Sequence, residues 1–152
     1  MVKVIDLSRD ELMKIAASIV YRDGDEAEAK EFGCSDVPDC FRRANHEFAT
    51  YLLAVDFTDE GEEPVAPIIV QRDGQIVFFI AKDVKHKHSL IRALRKKAEQ
   101  ITKRCGPITV KTMNWYDEAK RMLKLIGFKE YLLTNRWTKF VYGYDMGLPD
   151  GR

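Results

Sequence analysis

The chain has 152 residues, 45% of them hydrophobic and 32% charged, with a formal net charge of +1. That length makes one domain that buries a core without disulfide or metal staples, and the composition excludes disorder and low complexity. No apolar run nears the ~20 residues of a bilayer-spanning helix, the first dozen residues lack a signal peptide's apolar stretch, and three cysteines, an odd and sparse set, suit a reducing cytosol rather than secretion.

In chain order, residues 2–7 read as a short first strand. Ser8 and Glu11 form an S-x-x-E capping box, which predicts a helix starting there with Leu12, Ile15, Ala16, Ile19 and Val20 on its buried face. Residues 25–32 suit a second short helix closed by Gly33. Pro38 suits the first turn of a further helix with Phe41, Ala44 and Phe48 on its apolar side. The period then changes from helical to alternating: residues 51–55 predict a strand and residues 56–64 an acidic loop. Residues 67–72 and 75–81 predict a hairpin about Asp73-Gly74, with Pro67 marking an edge or a bulge. A basic helix follows over residues 89–104, with Leu90, Leu94, Ala98 and Ile101 inward and Gly106-Pro107 as its stop. Residues 108–113 read as a strand. Asn114 is placed to cap a helix over residues 115–126 that ends at Gly127, and residues 128–133 and 137–144 close the chain as two aromatic-rich strands. This is a mixed α/β domain with a central sheet.

Charge is unevenly spread along that order. Residues 22–63 hold 13 acidic against 4 basic side chains, and residues 82–104 hold 9 basic against 2 acidic ones. The near-zero sum therefore hides a dipole in sequence. Nucleic-acid binding through the basic helix is nevertheless disfavoured, because few aromatics interleave with its cations for base stacking.

The element order and the segment Ala119-Lys120-Arg121-Met122-Leu123-Lys124-Leu125-Ile126-Gly127-Phe128 resemble the GNAT (GCN5-related N-acetyltransferase) superfamily, whose last helix commonly reads A-x-x-L-Y-x-x-x-G-F before a strand pair. Within it, Phe78-Phe79-Ile80-Ala81-Lys82-Asp83, the basic helix and the L-K-x-x-G-F close resemble small GNAT-like proteins of short-tailed bacteriophages, some of them internal virion proteins. The resemblance implies a GNAT-like α/β fold, with a mixed central sheet of about six to seven strands flanked by about four helices. It implies one domain over residues 1–147 with a short tail, 148–152. It further implies acetyl-CoA as cofactor and an amine acceptor as partner if the protein is an enzyme, or a virion or host protein as partner if it is not, with no membrane. The location would be host cytoplasm or virion.

In this superfamily a Q/R-x-x-G-x-G/A loop presents backbone N–H groups to the pyrophosphate at a helix N-terminus. Residues 83–92 contain no glycine: Ser89 and Ile91 stand at the last two small positions and His86 near the first basic one. Lys85, Lys87 and Arg92 are side-chain substitutes for those donors; the alternative is a solvated basic helix start. The resemblance places cofactor binding on Phe79, Ile80 and Ala81, on Lys85, His86, Lys87, His88 and Ser89, and on Asn114, with the pantetheine between parted strands 75–81 and 108–113. The family's helix tyrosine, an acid toward the departing thiolate, falls on Leu123, which has no proton to give. Tyr116 near that helix start is the substitute acid, against a plain role covering the sheet edge. Glu47 is taken as the base, with Asp56 and His46 as alternatives. Cys34, Cys40 and His46 lack the short spacing of structural zinc sites, so no metal is expected.

Overall fold

The computed structural model describes residues 1–143, so Tyr144 of the expected closing strand, the domain end at 147 and the tail 148–152 lie outside the described residues. The elements are β1 (Val2–Asp6), α1 (Arg9–Ser18), α2 (Asp23–Glu31), α3 (Val37–Arg43), β2 (Thr50–Thr58), β3 (Gly61–Val70), β4 (Ile76–Phe78), α4 (Lys87–Cys105), β5 (Ile108–Met113), α5 (Asp117–Ile126), β6 (Lys129–Leu133) and β7 (Trp137–Tyr142). The strands form two antiparallel sheets, β1-β2-β3-β4 and β5-β7-β6. One parallel bridge, Gln75 to Thr109, joins them, with the Thr109 amide donating to the Gly74 carbonyl at 2.9 Å. Gly74 is required there twice over: its φ is +89°, and a Cβ would stand 2.7 Å from the Pro107 carbonyl oxygen.

Helices cover both faces of the larger sheet, and the strands show why. Along β2, Leu52 and Ala54 enter one apolar cluster with Leu90, Leu94, Ala98 and Phe140, whereas Leu53 and Val55 enter a second with Leu12, Ala16, Val37 and Phe41. Successive residues of a strand point to opposite faces, so a strand buried on both reads as a continuous apolar run. Residues 51–55 have that form, and so do residues 68–70, where Ile68 and Val70 join the first cluster and Ile69 the second.

The capping box at Ser8 is present, with each partner accepting from the other's backbone amide. Several expectations need correction. α1 ends at Ser18, so Val20 is 72% exposed rather than buried. α3 ends at Arg43, and Phe48 lies beyond it, exposed and at φ +57°. The expected acidic loop is the far end of a long hairpin: β2 runs to Thr58, β3 begins at Gly61, and Phe57 faces Glu62. Pro64 and Pro67 lie inside β3, where the register with β2 shifts, rather than at its start. Ordered pairing of β4 ends at Phe78; beyond it the Ala81 amide donates to the Val65 carbonyl at 2.8 Å and Ala81 bridges Tyr21. Asn114 does not cap α5; Tyr116 holds that position without a side-chain bond.

Candidate active site

Strands β4 and β5 run in the same direction from their single bridge and then diverge. The opening between them is a cleft of about 260 Å³ walled by Val77, Phe78, Phe79 and Ile80 on one side and by Val110, Lys111 and Thr112 on the other. Helix α2 crosses the open end with two carboxylates three residues apart, hence on one helical face. Asp25 Oδ2 accepts from the Ile80 amide at 2.8 Å, on the β4 side. Glu28 Oε2 accepts from the Met113 amide at 2.8 Å and from the Thr112 hydroxyl, on the β5 side. The carboxylates thus take backbone donors that the parted strands cannot give each other, and each buried amide keeps a partner.

Asp25 is buried and also holds Arg22, one of the cleft's cations. Its Oδ1 accepts from Arg22 at 2.9 Å and from the Tyr116 hydroxyl, while Arg22 lies 5.5 Å from the centre of the Tyr116 ring and reaches Glu118 at 3.1 Å. Burial, and then the bond to Asp25, pushes the Tyr116 hydroxyl well above its ordinary range. Burial raises the Glu28 carboxyl to about 7, against the opposing pull of its Thr112 and Met113 bonds. Cys34 and Cys40 line the same cleft, and burial pushes the Cys40 thiol up.

A second recess lies between the start of α4 and α5. It is lined by the cations Lys82, Lys87 and Arg121, by His88, and by apolar Val84, Ile91 and Leu125. Arg22, Ile80 and Met122 border both recesses, so groove and cleft adjoin at the end of β4. The first turn of α4 carries no acidic residue and no side-chain cap. Its backbone donors and the surrounding cations therefore present an anion-accepting end.

No protein-family model and no curated protein matches the sequence. Solved structures do. The GNAT domain of S. lividans PAT superposes with a TM-score of 0.63 at 12% identity, over 91% of this chain and 88% of that one. AAC(6')-Ib in complex with paromomycin and acetyl-CoA superposes with a TM-score of 0.64 at 14% identity, over 97% and 96% of the two chains. Spermidine N-acetyltransferase from Vibrio cholerae gives 0.56 at 10% identity, over 99% and 98%. The chain has the GNAT fold.

Set on that fold, the residues singled out in the sequence divide. Phe79 and Ile80 wall the cleft; Ala81, Lys87 and His88 line the groove. The others lie elsewhere. Lys85 is exposed on the loop before α4. His86 bonds Asp56 at 2.6 Å through Nδ1, tying α4 to β2 and holding the Asp56 carboxyl below its usual range. Ser89 Oγ accepts from the Val2 amide, toward β1. Asn114 donates to the Thr134 carbonyl and accepts from the Thr138 hydroxyl, bracing the turn between β6 and β7. Tyr116 stands behind Asp25 rather than in the cleft wall. Glu47 pairs with Arg72 at 3.4 Å on the surface, and His46 stacks on Tyr51. Leu123 is buried, with an edge in the cleft.

Sequence reasoning missed Arg22, Asp25, Glu28 and Thr112. A signal for Asp25 and Glu28 existed. The helix DGDEAEAKE has only Ala27 and Ala29 as apolar residues, too little to hold it by hydrophobic burial. Its inner face therefore had to be polar.

Proposed function

We propose that the chain transfers an acetyl group from acetyl-CoA to an amine. The observation that carries this reading is the continuity of the basic groove at the α4 terminus with the cleft between β4 and β5. A phosphate-bearing, elongated thioester needs both in line. Lys82, Lys87, His88 and Arg121 would hold the phosphates through their side chains, replacing the glycine loop that residues 83–92 lack. Ile80 and Ala81, where groove meets cleft, would flank the pantetheine, and Phe79 would close the floor of its path. Acetyl-CoA supplies the activated acyl carbon; the chain supplies binding, orientation and a dry apolar wall. The solved structures named above include an aminoglycoside acetyltransferase and a spermidine acetyltransferase, which supports an amine as the acceptor class. Tyr116 would serve as acid toward a departing thiolate only if its bond to Asp25 opened; with that bond closed the thiolate takes its proton from solvent, and Tyr116→Phe is then expected to leave transfer unchanged.

Calorimetric titration with acetyl-CoA tests the reading. Saturable binding is expected, weakened at least tenfold in Lys87→Ala with Arg121→Ala; no heat at millimolar acetyl-CoA overturns it.

A second reading is favoured by one specific observation: Asp25 already occupies the Ile80 amide, inside the cleft. There the chain is a non-catalytic GNAT-fold component, in keeping with its resemblance to phage virion proteins, and a charged face binds a virion or host protein. Absence of acetyl-CoA binding together with retained fold would select it.

A further inference from the structure

Resting on the acetyltransferase reading, we propose that Glu28 is the catalytic residue that takes the proton from the acceptor amine. None of the sequence-derived bases faces the cleft: Glu47 pairs with Arg72, Asp56 with His86, and His46 with Tyr51. Two carboxylates do, and the structure divides their work. Asp25 has both oxygens engaged, Oδ1 by Arg22 and Tyr116 and Oδ2 by the Ile80 amide, so it is a fixed counter-ion. Glu28 has one oxygen engaged: Oε2 is held against β5 by Thr112 and Met113, while Oε1 accepts from none of the described residues. Among the described residues, the sole sealed side-chain nitrogen or oxygen without a partner is Arg22 Nε. Glu28 Oε1 is therefore open to the cleft that its residue lines.

That arrangement is what proton abstraction requires. One oxygen fixes the carboxyl plane through two donors, and the other faces the space beside β4 and β5 where the thioester reading puts the acyl group. The amine nitrogen attacks the thioester carbonyl carbon and forms the C–N bond. The nitrogen's proton passes to Glu28 Oε1. The C–S bond breaks, the thiolate leaves with the electron pair and takes a proton from solvent, and Glu28 returns its own to solvent. The charged and titratable groups facing Glu28 are Asp25 and Arg22 beside it on α2 and at its start, Cys40 and Arg43 from α3, and Cys34 from the preceding loop; Lys111 lines the same cleft from β5. The α5 residues in the wall, Ala119, Met122 and Leu123, carry no titratable group. Burial lifts the Glu28 carboxyl to about 7, a value matched to a base working near neutrality.

The experiment measures acetyl transfer to spermidine, paromomycin and a peptide with a free N-terminus from pH 5 to 9, in the parent chain, Glu28→Gln and Thr112→Val. The parent is expected to show kcat/KM rising through a limb near pH 7. Glu28→Gln keeps the acceptor oxygen for Thr112 and Met113 and is expected to lose that limb and at least 100-fold in rate. Thr112→Val leaves the carboxylate but removes a bond that favours its ionised form, so the limb moves to higher pH; this holds the test even where Glu28→Gln fails to fold. Independently of turnover, the Glu28 side-chain carboxyl ¹³C signal of the acetyl-CoA-free protein is expected to titrate near pH 7. Transfer by the parent with an unchanged profile in both variants overturns the inference and leaves the acetyltransferase reading standing. Absence of transfer to any of the three amines overturns the inference whatever acetyl-CoA binding shows, and absence of acetyl-CoA binding overturns both.

Discussion

Gly24 is small because Tyr116 stands against it. A Cβ at that position would lie 2.5 Å from two Tyr116 ring atoms and 2.8 Å from its hydroxyl oxygen. The ring cannot swing clear: Trp115 stacks on it at 5.2 Å, Arg22 lies over it, and its hydroxyl is bound to Asp25. Gly24→Ala would ordinarily strengthen a helix by about 1 kcal/mol. Here it is expected to weaken the protein by about 1–3 kcal/mol, because overpacking displaces a buried ring. A urea midpoint that falls at unchanged slope is the expected reading, and a midpoint that rises refutes the contact. Asp25→Ala is the harsher change at the same place. It strands the Ile80 amide, the Tyr116 hydroxyl and the Arg22 cation together, and about 3–5 kcal/mol should be lost. Asp25→Asn, which keeps an acceptor for the amide, should cost visibly less in the same urea series.

At the scale of elements, α1 and α2 show what the amino-acid order made legible. α1 carries a complete start signal, and Ser8→Ala should cost about 1 kcal/mol in thermal or urea unfolding through the lost cap at the Glu11 amide. Its apolar spacing also marks Leu12 and Ala16 as core, and both are fully buried. The hairpin about Asp73-Gly74, the basic α4 and the closing strand pair were legible for the same reason: a period or a turn residue marks each one locally. α2 is marked locally only at its end, by Gly33. Its inward face is read only through partners far along the chain, Ile80, Thr112 and Met113, and nothing at residues 23–31 encodes where those amides will be. The acidic hairpin failed differently. Carboxylates at Asp59, Glu60, Glu62 and Glu63 resemble a loop, yet a strand's outer end tolerates them as well as a loop does, since Glu62 and Glu63 are exposed while Asp56, on the facing strand, is buried against His86. Glu47 has a base's chemistry, but no local pattern records that it faces Arg72 and solvent.

For the molecule as a whole, the opposed charges of the sequence meet in space. His86 bonds Asp56, and Lys82 lies 3.8 Å from Asp23, so the basic helix is anchored at its start to the acidic half. Lys87 and His88, in the first turn of that helix, face the groove. Against this stands one carboxyl whose burial opposes stability. Glu28 holds its proton up to about pH 7 when folded, against an ordinary 4.5. Below 4.5 folded and unfolded chains both carry the proton and the group is neutral in the balance. Between about 4.5 and 7 the unfolded chain releases it while the folded one keeps it, so stability falls as pH rises; above 7 the loss is complete. The gap corresponds to a destabilisation on the order of 3 kcal/mol. Asp39 and Asp56, whose carboxyls are held low, act with the opposite sign in acid, as stability they supply is lost when pH falls. Subtracting parent from Glu28→Gln removes them, because both proteins contain them. The difference in unfolding free energy should be flat below pH 4.5, climb in favour of Glu28→Gln up to about pH 7, and level off beyond it. A flat difference from pH 4 to 8 would show that Glu28 ionises in the folded chain as it does in water. A climb would show a chain that keeps an unfavourable carboxylate in its cleft at neutral pH. That cost is expected of a group retained for proton transfer and not for stability.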